Sequence, residues 1–397
     1  MNIICLVENE FQSLSGMSFN LIMIPFCSAQ NQTMNHWKAA VGCGLFCALM
    51  LSSSGLTNLL IAQESPAEIQ RTSMLMGTRA TVQVYAEDRA EAVAASDAVL
   101  QEIARVEALL STWIPDSELS RINRLPIDIP TTMDPEVAGW LAELNQLSAE
   151  TAGAFNPVVG ALIDAWDLRG NGKRPTQREL EDALSATGAG AFQINSDKNE
   201  IARLHPNAWI DAGGFGKGIA LRLAADTLKR RGASGVIDLG GQLVVVGEAS
   251  RRIDLAGPLE RSNSSNSVLV QNASVATSGL SERAVLVDRE RLGHILDPRN
   301  GRPVIDWGVV TVVAEDPLVA DVLSTALFVL GPENGKQLAE SFKTIGVLFQ
   351  ERPTQSRTSE AAHHRESTGY HHKVPGRAFA IHMNHSMQEL FIHHSRD

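Results

Sequence analysis

Polar and apolar residues alternate from Thr78 to Tyr85 as Thr-Arg-Ala-Thr-Val-Gln-Val-Tyr. A period of two marks a strand with one buried face, so residues 74–85 are expected to form the first strand. The period then changes. Val93, Val99, Ile103, Val106 and Leu110 recur at helical spacing and predict an amphipathic helix over 89–110. Residues 111–123 read as a loop opening a short helix. Val137, Leu141, Leu144 and Leu147 share one face of a helix over 134–151. Ala154-Phe155-Asn156-Pro157 starts a helix carrying Val158, Leu162 and Trp166.

The apolar triplet Ala208-Trp209-Ile210 reads as a strand. It runs into Asp211-Ala212-Gly213-Gly214-Phe215-Gly216-Lys217-Gly218, and a helical pattern follows from Ile219 to about Arg231. A strand, a tight glycine loop and a helix start leave backbone N–H groups pointed at whatever sits in front of the helix. That is an anion site, usually for phosphate. Glycines permit a close backbone approach, Lys217 adds a point charge, and Asp211 adds an acceptor. Two familiar phosphate motifs do not fit. A dinucleotide fingerprint needs glycine where Ile219 or Leu221 stands, and a P-loop needs Ser or Thr at Gly218 and glycine at Asp211. Taken alone, the loop reads equally well as a turn that binds nothing.

Residues 235–246 read as a strand pair or as one bulged strand, with Gly240-Gly241 placing the bulge. Further strands are expected over 251–289, around a polar loop at 262–267. Asp297-Pro298-Arg299-Asn300-Gly301 is a turn by composition. A short buried strand follows at 309–314 and a helix at 317–330, with Pro317 near its first turn. Residues 344–349 are expected to be the last strand of the domain.

Composition places the chain among soluble globular proteins, with 44% apolar and 20% charged residues. The net charge of -11, with no basic stripe, argues against nucleic acid as the main partner. Cysteines stand at 5, 27, 43 and 47 and nowhere later. The folded part therefore has no disulfide, no thiolate metal site and no cysteine nucleophile, and any metal there must use oxygen or histidine ligands.

Residues 1–33 hold no Lys or Arg and read as a non-structural extension, with Met34 as the expected initiator. Lys38 precedes an uncharged run from Ala39 to Ala62, so 34–62 reads as a signal peptide or signal anchor. Residues 63–70 read as a polar linker and 71–350 as the folded domain. Eight of the eleven histidines lie between His363 and His394. Histidine clusters can bind transition metals, but without a periodic core around them 351–397 is expected to be a disordered tail.

Two further features carry candidate chemistry. Asp321 and Thr325 stand four residues apart and share a face of the 317–330 helix. A carboxylate, a hydroxyl and a backbone carbonyl suit Mg²⁺, although the spacing alone equally fits a solvated helix face. His294, beside the Asp297 turn, could act as a general base, or could be a surface histidine.

The motifs occur in the order Met76-Gly77-Thr78, Ser111-Thr112-Trp113, Ala154-Phe155-Asn156-Pro157, Asp211-Ala212-Gly213-Gly214-x-x-Lys217-Gly218, Ala276-Thr277-Ser278-Gly279, His294-Ile295-x-Asp297-Pro298-x-x-Gly301-x-Pro303 and Ala320-Asp321-x-x-Ser324-Thr325-Ala326. This order resembles the ApbE family, the FAD:protein FMN transferases, over about residues 71–350. The resemblance implies an α+β, two-lobed fold with FAD in the cleft between the lobes. It implies FAD contacts from Met76, Trp113, Ala154, Phe155, Asn156, Asp211, Lys217 and Ile295, and Mg²⁺ held by the Gly214 carbonyl, Asp321 and Thr325. The family often carries tyrosine at Trp113; either ring can stack on a flavin or adenine. His294 is the candidate base and Lys217 the candidate stabiliser of phosphate charge.

The implied reaction transfers FMN from FAD to a Thr or Ser hydroxyl of an acceptor protein and releases AMP. The implied acceptor is an exported or membrane redox subunit, and the implied location is the periplasm or the inner membrane, by way of the N-terminal anchor. An FAD pyrophosphatase giving FMN and AMP, or a non-catalytic FAD-binding protein, are the alternatives. The failed dinucleotide fingerprint argues against a nicotinamide oxidoreductase.

Overall fold

The computed structural model describes residues 66–258, 266–280, 284–288, 290–352, 370–374 and 377–393. All belong to the compact unit Glu64–Asp397. The expected extension at 1–33 and the signal segment at 34–62 lie outside the described residues.

Nine strands form one sheet, in the order Ala67–Leu75, Thr78–Ala86, Ser234–Leu239, Gln242–Val246, Ser274–Gly279, Gly308–Ala314, Gly346–Glu351, Arg377–Met383 and Tyr370–Val374. Every neighbouring pair is antiparallel. Helices Arg89–Leu110, Gly216–Arg230 and Pro317–Ser341 cover one face. Val82, Val84, Ile237, Val244, Val310, Val312 and Val347 meet them there. The opposite face presents Val245, Val275, Val313 and Leu348. A three-stranded sheet of Arg251–Asp254, Asn266–Val270 and Phe391–His393 lies with this second core, together with Met387. Strand Gly308–Ala314 is therefore buried on both faces, which is why it reads as an unbroken apolar run. An antiparallel sheet with segregated helices is an α+β architecture.

The second lobe comes mainly from residues 111–210. It holds helices Glu118–Asn123, Pro135–Glu150, Gly160–Ala165 and Gln177–Ser185, and a small sheet of Thr131–Thr132, Phe192–Asn195 and Glu200–Arg203. Its helices start at side-chain caps that satisfy orphan N–H groups. Ser117 accepts from Ser120, Asp134 accepts from Glu136 and Val137, and Thr176 and Glu179 form a reciprocal capping box.

Several elements differ from the sequence expectation. Strand Ala67–Leu75 begins inside the segment read as linker, and Met76 (φ 55°) and Gly77 (φ 67°) turn it into the expected strand. Residues 208–210 form no strand. The Asn123 side chain donates to the Ile210 carbonyl at 2.9 Å and accepts the Ile210 N–H at 2.8 Å, so one amide takes the place of a strand neighbour. The following helix starts at Gly216 rather than Ile219. The helix after Ala154 is confined to Gly160–Ala165. Of the two readings of 235–246 the strand pair holds and the bulge does not: Gly240 and Gly241 both have positive φ and close the hairpin between Ser234–Leu239 and Gln242–Val246. The helix from Pro317 breaks where its end is expected, after residue 330: Gly331 (φ 71°, ψ 173°) is non-helical, and a second helical stretch beginning at Pro332 continues to Ser341.

The tail is the largest difference. Arg377–Met383 pairs with Gly346–Glu351, so 346–351 is not the last strand. Phe391–His393 pairs with Asn266–Val270, and Met387 is fully buried. The order comes from two sheet edges that the rest of the chain leaves open, which no local periodicity reveals. We expect Met387→Ala to lower the unfolding free energy by about 2–3 kcal/mol in a urea titration; an unchanged midpoint would mean that the tail does not pack.

Candidate active site

The site is built where two helices come unusually close. A Cβ on Gly218 would lie 2.8 Å from the Leu318 Cα, 2.8 Å from the Pro317 carbonyl oxygen and 2.9 Å from the Asp321 Cβ. Only glycine lets the first turn of Gly216–Arg230 rest on the first turns of Pro317–Ser341. The contact puts the Asp321 carboxylate on the helix start, where its Oδ2 accepts the Gly218 N–H at 2.9 Å. Arg222 fixes the same pair of helices from the next turn. Its guanidinium bonds Glu143 at 2.7 Å and also bonds Asp316, which in turn accepts the Leu318 N–H at 2.9 Å. Burial alone would make Arg222 easier to deprotonate, but the hydrogen bonds it donates to these two carboxylates outweigh that and hold its pKa above the ordinary value.

Asp321 is 6% exposed. Burial pushes its carboxyl up from the ordinary range, and the nearby Lys217 charge and the Gly218 N–H offset that only in part. Thr325 follows one turn later on the same face. A Cβ on Gly214 would stand 3.6 Å from the Thr325 Oγ1 and 3.3 Å from the Phe155 Cε2, so the glycine loop, the hydroxyl and the Phe155 ring converge. Ser324 braces this wall, sharing a hydrogen bond of 2.8 Å with Ser278 and donating to the Asp321 carbonyl at 2.9 Å.

The far wall belongs to the second lobe. Ala154 and Phe155 are buried, and Asn156 caps its own turn by accepting the Val158 N–H at 2.8 Å. Asp211 accepts the Gly213 N–H at 2.9 Å. Its other oxygen takes the Arg169 guanidinium, which also donates to Thr112 at 2.6 Å. Arg169 lies 4.6 Å from the Trp113 ring centroid and 4.4 Å from that of Trp209, so it is layered between two indoles. Trp113 is 70% exposed, which leaves indole surface open for stacking.

The Asp297 turn is a clip. Asp297 is buried and accepts from Arg299 and Asn300, while Trp166 donates to the Gly301 carbonyl at 2.7 Å. The clip presents exposed His294 and buried Ile295 to the cleft.

The structure brings every sequence-predicted residue to one cleft of about 910 Å³. Met76, Trp113, Ala154, Phe155, Asn156, Asp211, Gly214, Lys217, His294, Ile295, Asp321 and Thr325 all line it. The sequence reading missed Arg169, Asn123 and the Glu143–Arg222–Asp316 cluster. Arg169 sits in a polar glycine-rich stretch with no periodicity, and its partners lie 42 and 57 residues away in sequence.

The cleft fits a hard divalent cation beside an anion. Asp321, Thr325 and the Gly214 backbone offer oxygen donors that could hold such a cation, and being too few to fill an octahedral shell they would leave positions for substrate oxygens and water. Among the described residues, no group of three or more His, Cys, Asp or Glu side chains offers a protein-only metal cage.

A pH consequence follows for the metal-free protein. Because the folded Asp321 pKa is raised, its stabilising contribution is full below the ordinary carboxylate value of 3.8 and is lost as pH rises through the folded value. Asp321→Asn should therefore raise the unfolding free energy at pH 7 in EDTA, seen as a higher thermal midpoint, and should abolish any stabilisation by added Mg²⁺. A lower thermal midpoint in EDTA would show that the carboxylate is already compensated.

A model of the ApbE family matches residues 76–349. The chain is 29% identical over 276 residues to a FAD:protein FMN transferase of Klebsiella pneumoniae, covering 66% of this chain and 79% of that protein. It is 29% identical over 305 residues to the enzyme of the same name from Vibrio cholerae, covering 73% and 90%. The apo crystal structure of the Pseudomonas stutzeri flavinyl transferase ApbE superimposes with a TM-score of 0.67 at 27% identity, covering 82% of this chain and 97% of that one.

Proposed function

This chain belongs to the ApbE family, and we propose on that footing that it is a flavin transferase, moving FMN from FAD to a Thr or Ser hydroxyl of an acceptor protein. The observation that carries the reading is the convergence of the glycine-loop helix start with the Asp321–Thr325 face in one cleft.

The helix start at Gly216 and the Lys217 side chain face the pyrophosphate of FAD and hold its charge. Mg²⁺ bound by Asp321, Thr325 and the Gly214 carbonyl would neutralise that charge further and make AMP a better leaving group. Trp113, open on the cleft, stacks on a ring of FAD, with Arg169 and Asp211 fixing that wall. Met76, Ala154, Phe155, Asn156 and Ile295 line the remainder of the FAD site. His294 takes the proton of the acceptor hydroxyl as its oxygen attacks the phosphorus on the FMN side. The bond to the AMP oxygen breaks, a phosphoester to the acceptor forms, and AMP carries away the electron pair. Positioning and charge stabilisation do most of this work.

Incubation of the full chain with FAD and Mg²⁺, with and without an acceptor domain bearing an exposed Thr, tests the reading. AMP together with acceptor-bound flavin is expected, and EDTA should stop both. AMP without bound flavin would replace transfer by hydrolysis; FAD bound without AMP would leave a carrier. Thr325→Val should lower turnover by roughly a hundredfold or more, and His294→Gln by a similar factor.

Export to the periplasm, or anchoring at the inner membrane, belongs to the same proposal and rests on the uncharged run Ala39–Ala62. The acceptor is then an exported or membrane redox subunit. N-terminal sequencing of the precursor should start at Met34; a peptide from residues 1–33 would contradict that start.

A further inference from the structure

Gln242 opens the strand Gln242–Val246 directly after the Gly240-Gly241 turn and lines the same cleft. It is 3% exposed. Its Nε2 donates to the Pro317 carbonyl at 3.1 Å, and its Oε1 is buried with no hydrogen-bond partner among the described residues. The orientation of the amide follows from chemistry. A carbonyl only accepts, so the nitrogen must face Pro317 and the oxygen must face away. A buried acceptor left unsatisfied is costly, and such a group beside a cleft calls for a donor that arrives with the ligand.

The surroundings identify that donor. Pro317 begins the helix that carries Asp321, and its carbonyl oxygen would stand 2.8 Å from a Cβ on Gly218. The same Cβ would stand 2.9 Å from the Asp321 Cβ. Gln242, Gly218 and Asp321 therefore meet at one knot, with Lys217 as the neighbouring residue of the helix start. A cation held by so few protein oxygens keeps waters in its shell, and each water has O–H groups to donate.

Resting on the proposed transferase reading, we propose that Gln242 is a positioning residue of the cation site, its Oε1 accepting a hydrogen bond from a water bound to the metal. The amide is then anchored at one end by the Pro317 carbonyl and points its acceptor at the metal's shell. Such outer contacts orient the ligands and tune affinity without touching the metal.

The test titrates Mn²⁺ into the full chain in the presence of ADP, a pyrophosphate ester that carries no flavin to transfer. Free Mn²⁺ is followed by its paramagnetic resonance signal. Gln242→Met keeps the volume and removes both amide atoms; it should weaken Mn²⁺ binding by roughly 10- to 100-fold, with ADP affinity in EDTA unchanged. Gln242→Glu restores an oxygen acceptor and should bring Mn²⁺ affinity back to within a few-fold of wild type. Should the Met variant not fold, Gln242→Asn withdraws the oxygen by one methylene and should show the same weakening.

Wild-type Mn²⁺ affinity in a folded Met or Asn variant would overturn the proposal, as would equal weakening in the Glu variant, which would indicate lost packing. Normal Mn²⁺ affinity with a raised half-saturation for the acceptor would overturn it too, assigning the oxygen to the acceptor hydroxyl. Failure of the wild-type chain itself to bind Mn²⁺ with ADP would bring down the metal site in the proposed function, and this inference with it.

Discussion

The close approach at Gly218 is the constraint on which the site depends. Two helices on the same face of the sheet ordinarily hold their axes 8–10 Å apart, set by the side chains between them. Here no side chain intervenes, and the Leu318 backbone lies against the Gly218 Cα. That contact converts an anion-seeking helix start and a cation-seeking carboxylate into neighbours. It also buries Asp321, which raises its pKa and leaves the site poised for a counter-charge beyond the partial compensation from Lys217 and the Gly218 N–H. The cost of that burial is borne by the surrounding fold, as is usual where stability and function compete. The Glu143–Arg222–Asp316 cluster holds the crossing from the second lobe, because Glu143 belongs to the helix Pro135–Glu150.

The second lobe meets this pair with backbone held by side-chain amides and clips rather than by extended sheet. Asn123 fixes Ile210, Asp297 fixes its own turn, and Trp166 ties that turn to the lobe. Segments so held place Asp211 and His294 on the wall of the cleft. Arg169 extends the arrangement. Layered between Trp113 and Trp209 and bonded to Asp211 and Thr112, it keeps a charged wall in register beside an exposed indole. A second cavity of about 730 Å³ shares Thr112 and Arg169 with the cleft. One guanidinium thus forms part of the wall of both.

The main sheet explains why one rigid frame can carry these contacts. It is antiparallel throughout and covered on both faces over its centre, with helices on one side and a small sheet plus Met387 on the other. Strands covered on both faces make a frame in which the Ser278–Ser324 bond can brace a helix against the sheet. The tail supplies part of that cover.

The sequence by itself determined the elements whose stabilisation is local. The helix over 89–110 and the buried strand over 309–314 follow from periodicity, and the start of the 317 helix follows from Pro317. The ordered motifs also brought the residues of the cleft to notice, because the reacting groups lie in short, chemically distinctive stretches. What only the tertiary structure decided are the features whose partners are distant in the chain. Residues 208–210 look like a strand because they are apolar, but their backbone bonds go to separate partners: Ala208 to His205, Trp209 to Gly160 and Ile210 to the Asn123 side chain. Residues 377–393 read as part of a disordered His-rich tail because the edges they pair with, at 346–351 and 266–270, lie far away in sequence. Arg169 and Gln242 carry no local signal at all, since a guanidinium or an amide acquires its role from the groups that face it. Local pattern reports which backbone conformation a segment prefers, whereas burial and pairing depend on what the rest of the chain leaves open.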